Sequence, residues 1–359
     1  VVPTSDSALN IVCAAYRKLS RICAVGCPPP EIVQRVLDKP VTLETAARCG
    51  VPVPVSVSID DVSDLEFALP RLRFPIIAKP GNKSQVSGHD FKTRMFANGD
   101  ELRAAFAEQP RFGEGLLFQT YHEGQGVGIE LLMVNFSPVA AFQHRRLSEN
   151  PPSGGVAVVA VAEPVDPQLL DYSVRLLRAL EWKGVAMVEF RHDPATGDAA
   201  LMEVNGRFWG SLPLAVKAGV DFPFYAWEVG QGRAPTVPPA YDHGLRVRWT
   251  AGSLKRFAHA FTDGAERITL RAATAQLLAD FRPGTRSAMW TWDDPLPAVQ
   301  EVSLVLARWA RDAIKGVIRA VVPVGALSIA KSARTLPAGR RDIYTRRRLA
   351  RATGLAKEV

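Results

Sequence analysis

The chain of 359 residues is 47% hydrophobic and 22% charged, and it carries a net charge of +8. These values are typical of a folded protein with two or three packed lobes, and they exclude a largely disordered chain. The cysteines form no CxxC pair and have no matching histidine cluster, which predicts buried, reduced thiols rather than zinc ligands; they are Cys13, Cys23, Cys27 and Cys49. We therefore expect a cytoplasmic protein.

The terminal segments show no pattern of a signal peptide or a membrane span. The first residues, VVPTSDSALN, lack a charged region followed by an apolar one, and their abrupt start predicts a truncated N-terminal unit. The best apolar candidate, 313–330, contains Lys315 and Arg319, so we do not expect it to span a bilayer. From Lys331 onward nine Lys or Arg residues accompany two acidic ones, so the rest of the chain is almost neutral.

The first half of the chain predicts an α+β lobe. Two short helices are expected between Pro28 and Gly50, followed by an extended strand. The segment FPIIAKP, 74–80, reads as a buried strand that ends near Lys79, and a loop then leads to the partner strand FKTRMF. GDELRAAFAEQ has helical spacing and completes the lobe.

A second α+β lobe is predicted from antiparallel strands and one covering helix. Its strands are GLLFQTY, VGIELLMV, SPVAAFQHRRL, VAMVEF and ALMEVN, and its helix runs from about Pro167 to Leu180. The remainder, from about Pro235, is rich in tryptophan and arginine and is predicted to be helical from Leu296 to about Val321.

The stretch LMEVNGR places polar residues at alternate positions of an apolar strand. Glu203, Asn205 and Arg207 are therefore expected on one face. If the preceding loop has five residues, 194–198, the register sets Glu189 directly opposite Glu203. Directly opposed like charges are destabilising unless a cation neutralises them.

Carboxylate and amide oxygens without thiolate or imidazole favour Mg²⁺ or Mn²⁺ over zinc. Such a sparse site usually shares its ion with substrate phosphates, and Arg207 is placed to hold phosphate oxygens. The alternative is a hairpin with a solvated polar face. The apolar flanks VAMV and FWGSLPLA disfavour it, because a buried carboxylate without a partner is costly.

These motifs, in this order, resemble the ATP-grasp superfamily, particularly its carbamoyl phosphate synthetase large-subunit-like and carboxylate–amine ligase branch, over roughly Asp38 to Gly232. The resemblance implies an α+β fold in which two α+β lobes sandwich ATP. The implied divisions are a partial N-terminal α/β unit at 1–37, an N-terminal lobe with a lid loop at 38–115, a C-terminal lobe with the metal site at 116–234, and an extension with a basic helical tail at 235–359.

The resemblance also implies roles for individual residues. Lys79 and Arg207 would act on the transferred phosphoryl group, and Glu189, Glu203 and Asn205 would bind the metal. The implied nucleotide contacts are Lys39, Lys79, Ser84 in the lid loop Gly81 to Asp90, Gln119 and Tyr121 of the hinge strand, Gln125 near the ribose, and Arg207. The sequence departs from the family in its glycine-poor lid, in Thr120 at a hinge position where an acid is common, and in Gln125 where a glutamate is expected.

The implied activity is that of an ATP-dependent ligase, which activates a carboxylate as an acylphosphate for capture by an amine, with ATP and Mg²⁺ (or Mn²⁺) as cofactors. Two alternatives remain open at this stage. One is a phosphotransferase on the same scaffold, and the other is a nucleotide-binding module without catalysis.

The segment AFQHRRLSENPPSGG predicts the acceptor pocket, because arginine binds carboxylates bidentately and glycines let the backbone approach a ligand. Its candidate residues are His144, Arg145, Arg146 (the preferred arginine), Ser153, Gly154 and Gly155. The alternative is an exposed basic strand edge. The tail could contact an anionic membrane, although a solvated helix face is favoured, and nucleic acid is not expected because no aromatic stacking pattern accompanies the charges.

Overall fold

The computed structural model describes residues 1–83, 93–109, 111–151, 155–262 and 268–321, with the backbone alone at 261–262 and 312–321. The chain divides into two compact units, Val1–Thr291 and Trp292–Val359. What is described of the second unit centres on one helix, α12 (Leu296–Val321), in agreement with the predicted helical segment. The basic tail from Lys331 lies outside the described residues.

The first unit alternates helices and strands. Its helices are α1 (Asp6–Ala14), α2 (Tyr16–Leu19), α3 (Pro30–Leu37), α4 (Lys39–Arg48), α5 (Leu65–Ala68), α6 (Gly99–Glu108), α7 (Pro167–Ala179), α8 (Leu212–Lys217), α9 (Phe222–Gly230), α10 (Thr250–Thr262) and α11 (Leu270–Asp280), with 3-10 turns at Val62–Asp64 and Leu69–Arg71. Its strands are β1 (Ser56–Ser58), β2 (Ile76–Pro80), β3 (Arg94–Phe96), β4 (Leu116–Thr120), β5 (Gln125–Val134), β6 (Ser137–Asn150), β7 (Val156–Glu163), β8 (Gly184–His192), β9 (Ala199–Asn205), β10 (Arg246–Arg248) and β11 (Thr285–Ser287).

The smaller sheet has four strands in the order β1-β4-β2-β3. Its strands alternate as the sequence predicts: Ile76, Ala78 and Phe118 face a core built with α6, and Lys79 and Gln119 point to the opposite face. The sheet therefore presents polar side chains on one face while its other face is buried.

The larger sheet has seven strands in the order β11-β10-β7-β6-β5-β8-β9. One face packs against α1, α3, α4 and α7 through a continuous apolar core. The other face packs against α8 and α9 at the level of Met187. Two sheets with covering helices confirm the predicted α+β class.

At two positions along the chain, strands belong to a different sheet from the one that the predicted divisions imply. β4, which ends at Thr120, pairs with β1 and β2. The predicted lobe border between residues 115 and 116 therefore separates β4 from the other strands of the smaller sheet. β10 pairs antiparallel with β7, and β11 pairs with β10, so part of the predicted extension completes the larger sheet. Strand pairing over long sequence separations decided both positions, and local patterns do not report it.

The cysteines are all free thiols, but they are not all buried. Cys13 and Cys27 lie in the core, whereas Cys49 is half-buried and Cys23 is exposed. Burial raises the pKa of Cys27 to about 12, with a smaller contribution from Cys13. The predicted burial is therefore correct for two of the four and wrong for Cys23.

Two glycines of β5 leave room for side chains that cross the larger sheet. Gly128 pairs with His144 on β6 and with Glu189 on β8. A Cβ atom on Gly128 would lie 2.3 Å from Cε1 of His144, and one on Gly126 would lie 2.8 Å from Cδ of Arg146. Both side chains therefore lie over β5 only because these positions are glycine.

We predict that Gly128→Ala lowers the free energy of unfolding by about 1–3 kcal/mol, because the rigid imidazole of His144 must shift. Urea unfolding monitored by circular dichroism measures the loss. Gly230→Ala is the matched control, since its Cβ would make an ordinary 3.6 Å contact with Ala24. Equal stability of the two variants would contradict the prediction.

Candidate functional site

Glu189 and Glu203 face each other across β8 and β9, as the sequence analysis predicted. The predicted turn was nevertheless wrong by one residue, since His192 rather than Asp193 pairs with Ala199. A bulge then shifts the register between Phe190 and Glu189, and this extra residue restores the expected pairing at the carboxylates. The bulge also keeps both Leu201 and Val204 in the core.

Asn205 joins the two carboxylates into one cluster. Its Nδ2 donates to Oε1 of Glu189 at 2.8 Å and to Oε1 of Glu203 at 3.1 Å. The side chain of Asn205 is 2% exposed, so the cluster is held in a largely buried position. The three predicted metal ligands thus lie together, although their role as ligands stays a prediction.

Lys83, near the start of the lid loop, contacts this cluster directly. Its Nζ lies 3.1 Å from Oε2 of Glu203, and it donates to Oδ1 of Asn205 at 3.1 Å and to the carbonyl oxygen of Val204 at 3.0 Å.

Lys79 and Lys39 lie beside the cluster and donate to backbone carbonyls. Nζ of Lys79 donates to Met202 O at 3.3 Å, and Nζ of Lys39 donates to Pro80 O at 2.7 Å. Met202 belongs to β9, the last strand in the sheet order within the described part of the chain. Side chains from the end of β2 and the loop after it therefore meet the edge strand of the larger sheet.

Burial lowers the pKa of Lys39 and of Lys79 to about 8, against the attraction of Glu203. Burial raises the pKa of Glu203, but Lys83, Lys39 and Lys79 together lower it well below its usual range. Burial raises the pKa of Glu189, against the attraction of Arg146, and the charge of Glu203 raises it further. The cluster therefore holds Glu203 as the anion.

Arg146 forms ion pairs with two carboxylates instead of standing free in a pocket. Its Nη2 pairs with Oε2 of Glu189, and its Nη1 lies 3.0 Å from Oε1 of Glu149. Nη1 also donates to Gly155 O at 3.0 Å, so Gly155 contributes its backbone. Arg191 lies 3.5 Å from the other oxygen of Glu149. Glu149 was not predicted, because nothing in SENPP marks it as a partner.

His144 and Arg145 do not line one pocket with Arg146. His144 is 0% exposed, and its Nδ1 lies 2.8 Å from Oε1 of Glu130, which also accepts from Ser211 at 3.1 Å. Arg145 points to the opposite face of β6, where it pairs with Glu163 and donates to Gln125 at 3.0 Å. The single predicted pocket is corrected for two reasons. Strand alternation turns Arg145 to the face opposite Arg146, and His144, which shares the face of Arg146, is buried against Glu130.

Gln125 shares the face of Arg145, so the structure does not place its side chain beside the carboxylate cluster. Gln119 is 4% exposed and donates to Oγ of Ser56 at 2.8 Å. Tyr121 follows β4, and its ring lies 5.9 Å from the guanidinium carbon of Arg191. The nucleotide roles of these three residues stay predictions.

Arg207 is held by Asp6 of α1 through two parallel hydrogen bonds of 3.0 Å, Nε to Oδ1 and Nη2 to Oδ2. In this arrangement the guanidinium of Arg207 faces the carboxylate of Asp6. To contact a phosphate, it must either bind Asp6 and the phosphate together or leave Asp6. Ser84, Ser153, Gly154 and most of the lid loop lie outside the described residues.

The chemistry of the cluster fits a hard divalent cation. It offers two carboxylates and one amide oxygen, and the ammonium of Lys83 already lies on Glu203 and Asn205 as a cation would. In the part of the chain that the structure describes, no group of three or more His, Cys, Asp and Glu could hold a metal ion. That Glu189, Glu203 and Asn205 would hold a metal ion stays a prediction, which rests on their oxygen atoms.

Several known proteins are similar to this chain in sequence or in fold. The family model "ATP-grasp in the biosynthetic pathway with Ter operon" matches residues 114–253. The D-alanine–D-alanine ligase of Gluconobacter oxydans is 30% identical over 47% of this chain and 57% of that ligase. The carbamoyl phosphate synthase large chain of Methanothermobacter thermautotrophicus is 22% identical over 52% of this chain and 18% of that protein.

Among solved structures, the N5-carboxyaminoimidazole synthetase of Staphylococcus aureus complexed with ADP superposes with a TM-score of 0.52. It is 16% identical and covers 68% of this chain and 67% of that chain. The fold is therefore the ATP-grasp fold. Residues 114–253 carry an ATP-grasp domain, which confirms the predicted resemblance.

The chain spans only part of these two curated relatives, 57% of the ligase and 18% of the synthase. Among helices in the described ranges, none has the length and apolar character needed to cross a membrane.

We predict that the stability of the protein relative to Lys79→Met rises between pH 8 and pH 10. The pKa of Lys79 is lowered in the folded state, so the unfolded chain binds more protons in this window and rising pH removes the cost of burying the ammonium. The difference in free energy of unfolding between the unmodified protein and Lys79→Met should change by up to about 1.4 kcal/mol per pH unit. Urea unfolding at several pH values measures it. Lys18→Met, at an exposed site, is the control, and parallel profiles for Lys79→Met and the unmodified protein would contradict the prediction.

Proposed function

We propose that this protein is an ATP-dependent ligase that activates a carboxylate as an acylphosphate for capture by an amine. The observation that carries the proposal is the cluster of Glu189, Glu203 and Asn205, with lysines from the end of the smaller sheet gathered on it. Cytoplasmic location, small carboxylate and amine substrates, and Mg²⁺ dependence are parts of this proposal.

The charges of the site support a polyphosphate ligand. The four cations Lys39, Lys79, Lys83 and Arg146 gather around three carboxylates, Glu189, Glu203 and Glu149, so one positive charge is in surplus. This surplus of buried positive charge is costly without an anion. A nucleotide triphosphate that carries one divalent metal is itself a net anion, and it would neutralise the surplus.

The reaction has two steps, and the chain acts in both by positioning and charge. In the first, a carboxylate oxygen of the substrate forms a bond to the γ-phosphorus as the bond to the β–γ bridging oxygen breaks, which gives an acylphosphate and ADP. In the second, the amine nitrogen bonds to the acyl carbon, phosphate leaves with the electron pair, and the nitrogen loses a proton. Lys79 and Lys39 would hold the phosphate oxygens.

A divalent metal, Mg²⁺ or Mn²⁺, would be held by Glu189, Glu203 and Asn205 and would supply charge neutralisation at the phosphates. Arg146 pairs with Glu189, so it would orient that carboxylate. Because the lysines and these carboxylates are largely removed from water, their interactions with the phosphates would be stronger than at an exposed site.

The comparisons support this proposal at the level of the domain. The Gluconobacter relative is named for joining D-alanine to D-alanine, a carboxylate-to-amine ligation. This similarity does not extend to the substrate of the present chain, because substrate specificity depends on the shape of the acceptor pocket rather than on the metal motif.

A nucleotide-binding module without catalysis is the second candidate. All three arginines assigned to phosphate or acceptor are engaged with carboxylates: Arg207 with Asp6, Arg146 with Glu189 and Glu149, and Arg145 with Glu163. Such a module would bind nucleotide and metal but release no ADP. The phosphotransferase alternative would release ADP and accumulate a stable phosphorylated product.

We predict that Glu203→Gln lowers ADP release at least about 100-fold, because the cluster loses the anion that opposes three lysines. A coupled ADP assay over a panel of carboxylates and amines measures the rate, and a thermal melt checks the fold. Glu44→Gln, on the exposed face of α4, is the matched control. Unchanged ADP release by folded Glu203→Gln would refute the proposed role.

We predict that hydroxylamine, added in place of the amine, traps the acylphosphate as a hydroxamate in an amount equal to the ADP formed. The ferric hydroxamate colour reaction measures it, and a reaction without carboxylate is the control. ADP release without hydroxamate would favour the phosphotransferase. Nucleotide binding without ADP release in any mixture would favour the module.

A further inference from the structure

The ammonium of Lys83 occupies a position defined by three oxygens of β9, at the proposed metal cluster. It lies 3.1 Å from Oε2 of Glu203, 3.1 Å from Oδ1 of Asn205 and 3.0 Å from the carbonyl oxygen of Val204. The Lys83 side chain is 9% exposed, so solvent contributes little to its coordination. Two of these three oxygens belong to residues that would hold the metal.

Lys83 differs in this respect from the other two lysines of the site. The hydrogen bonds of Lys39 and Lys79 go to the backbone carbonyls of Pro80 and Met202. Lysine carries a compact point charge, which satisfies a set of oxygens much as a small cation does. Lys83 is therefore placed as a substitute for the metal, whereas Lys39 and Lys79 lie beside it.

We propose that Lys83 is an internal counter-ion that holds the metal position in the metal-free protein, and that a divalent cation must displace it. The inference rests on the metal site of the proposed function. It adds a binding order: free metal competes with Lys83 and binds weakly, whereas metal that arrives with a nucleotide brings phosphates that accept the displaced ammonium.

The backbone contacts of Lys83 make this exchange a movement of its side chain. The backbone N–H of Lys83 donates to Leu37 O at 2.9 Å, and that of Lys39 donates to Gly81 O at 2.9 Å. Asp38 and Asn82 also form a bridge. These bonds fix the main chain of residues 81–83 against the start of α4. The exchange therefore needs only a rotation of the flexible four-carbon stem of Lys83.

The carboxylates themselves require such a counter-ion. Glu189 and Glu203 are directly opposed, and each has its own cation: Arg146 for Glu189 and Lys83 for Glu203. Removing Lys83 leaves Glu203 with the more distant Lys39 and Lys79, so the metal-free protein should lose stability. A divalent cation should then restore more stability to the variant than to the unmodified protein.

The test measures Mn²⁺ binding to the full chain by electron paramagnetic resonance, without nucleotide and with saturating ADP. The variants are Lys83→Met and Lys83→Gln, which remove the charge in two ways, and Lys18→Met, which removes an exposed charge. Circular dichroism confirms folding, and the rise in Tm caused by Mn²⁺ gives a second measure.

We expect Lys83→Met and Lys83→Gln to bind Mn²⁺ without nucleotide at least about 10-fold more tightly than the unmodified protein, a difference of roughly 1.4 kcal/mol. Their Tm should also rise more on adding Mn²⁺. Lys18→Met should match the unmodified protein, and ADP should tighten Mn²⁺ binding more in the unmodified protein than in the Lys83 variants.

Equal or weaker Mn²⁺ binding by both folded Lys83 variants would overturn the inference and leave the proposed ligase intact, since ADP release is measured separately. Absence of Mn²⁺ binding in every variant, even with ADP, would overturn both the inference and the metal site of the proposed function.

Discussion

The opposition of Glu189 and Glu203 across β8 and β9 is the interaction on which the rest of the site depends. Two carboxylates in this position repel each other, so the fold must bring cations to them from elsewhere in the chain. Arg146 arrives from β6, and Lys83 arrives from the segment after β2. The ion pairs that neutralise Glu189 and Glu203 thus connect the two sheets. They also gather positive charge that would bind a polyphosphate.

The two glycines of β5 make this assembly sterically possible. Strand β5 lies between β6 and β8, so any side chain at position 126 or 128 would separate Arg146 and His144 from the row that contains Glu189. With glycine there, Arg146 crosses the strand to its carboxylate, and His144 reaches Glu130. The same face therefore carries a continuous polar row in an otherwise apolar sheet, which is tolerated because its charges are paired.

The sequence predicted the class of fold and the carboxylate pair, but not the way in which the pair is neutralised. Alternation along ALMEVN was enough to predict the carboxylate pair. The predicted register at the pair was nevertheless correct only because two differences compensate: a turn that pairs His192 with Ala199, and a bulge before Glu203. Long, flexible side chains choose partners that are distant in sequence. Lys83 with Glu203 and Arg207 with Asp6 are examples, separated by more than a hundred residues, and local patterns carry no signal for them.

The N-terminal segment packs into the same core as the strands of the site and does not form a separate unit. Leu9 and Val12 of α1 and Val33 of α3 lie in the same apolar core as β5 and β8. Asp6, at the start of α1, holds Arg207, which follows β9 directly. Packing of α1 on one face of the sheet thus fixes the position of the carboxylate that binds Arg207. The direction in which Arg207 points is therefore set by residues near the first helix, and any contact it makes with a phosphate must compete with Asp6.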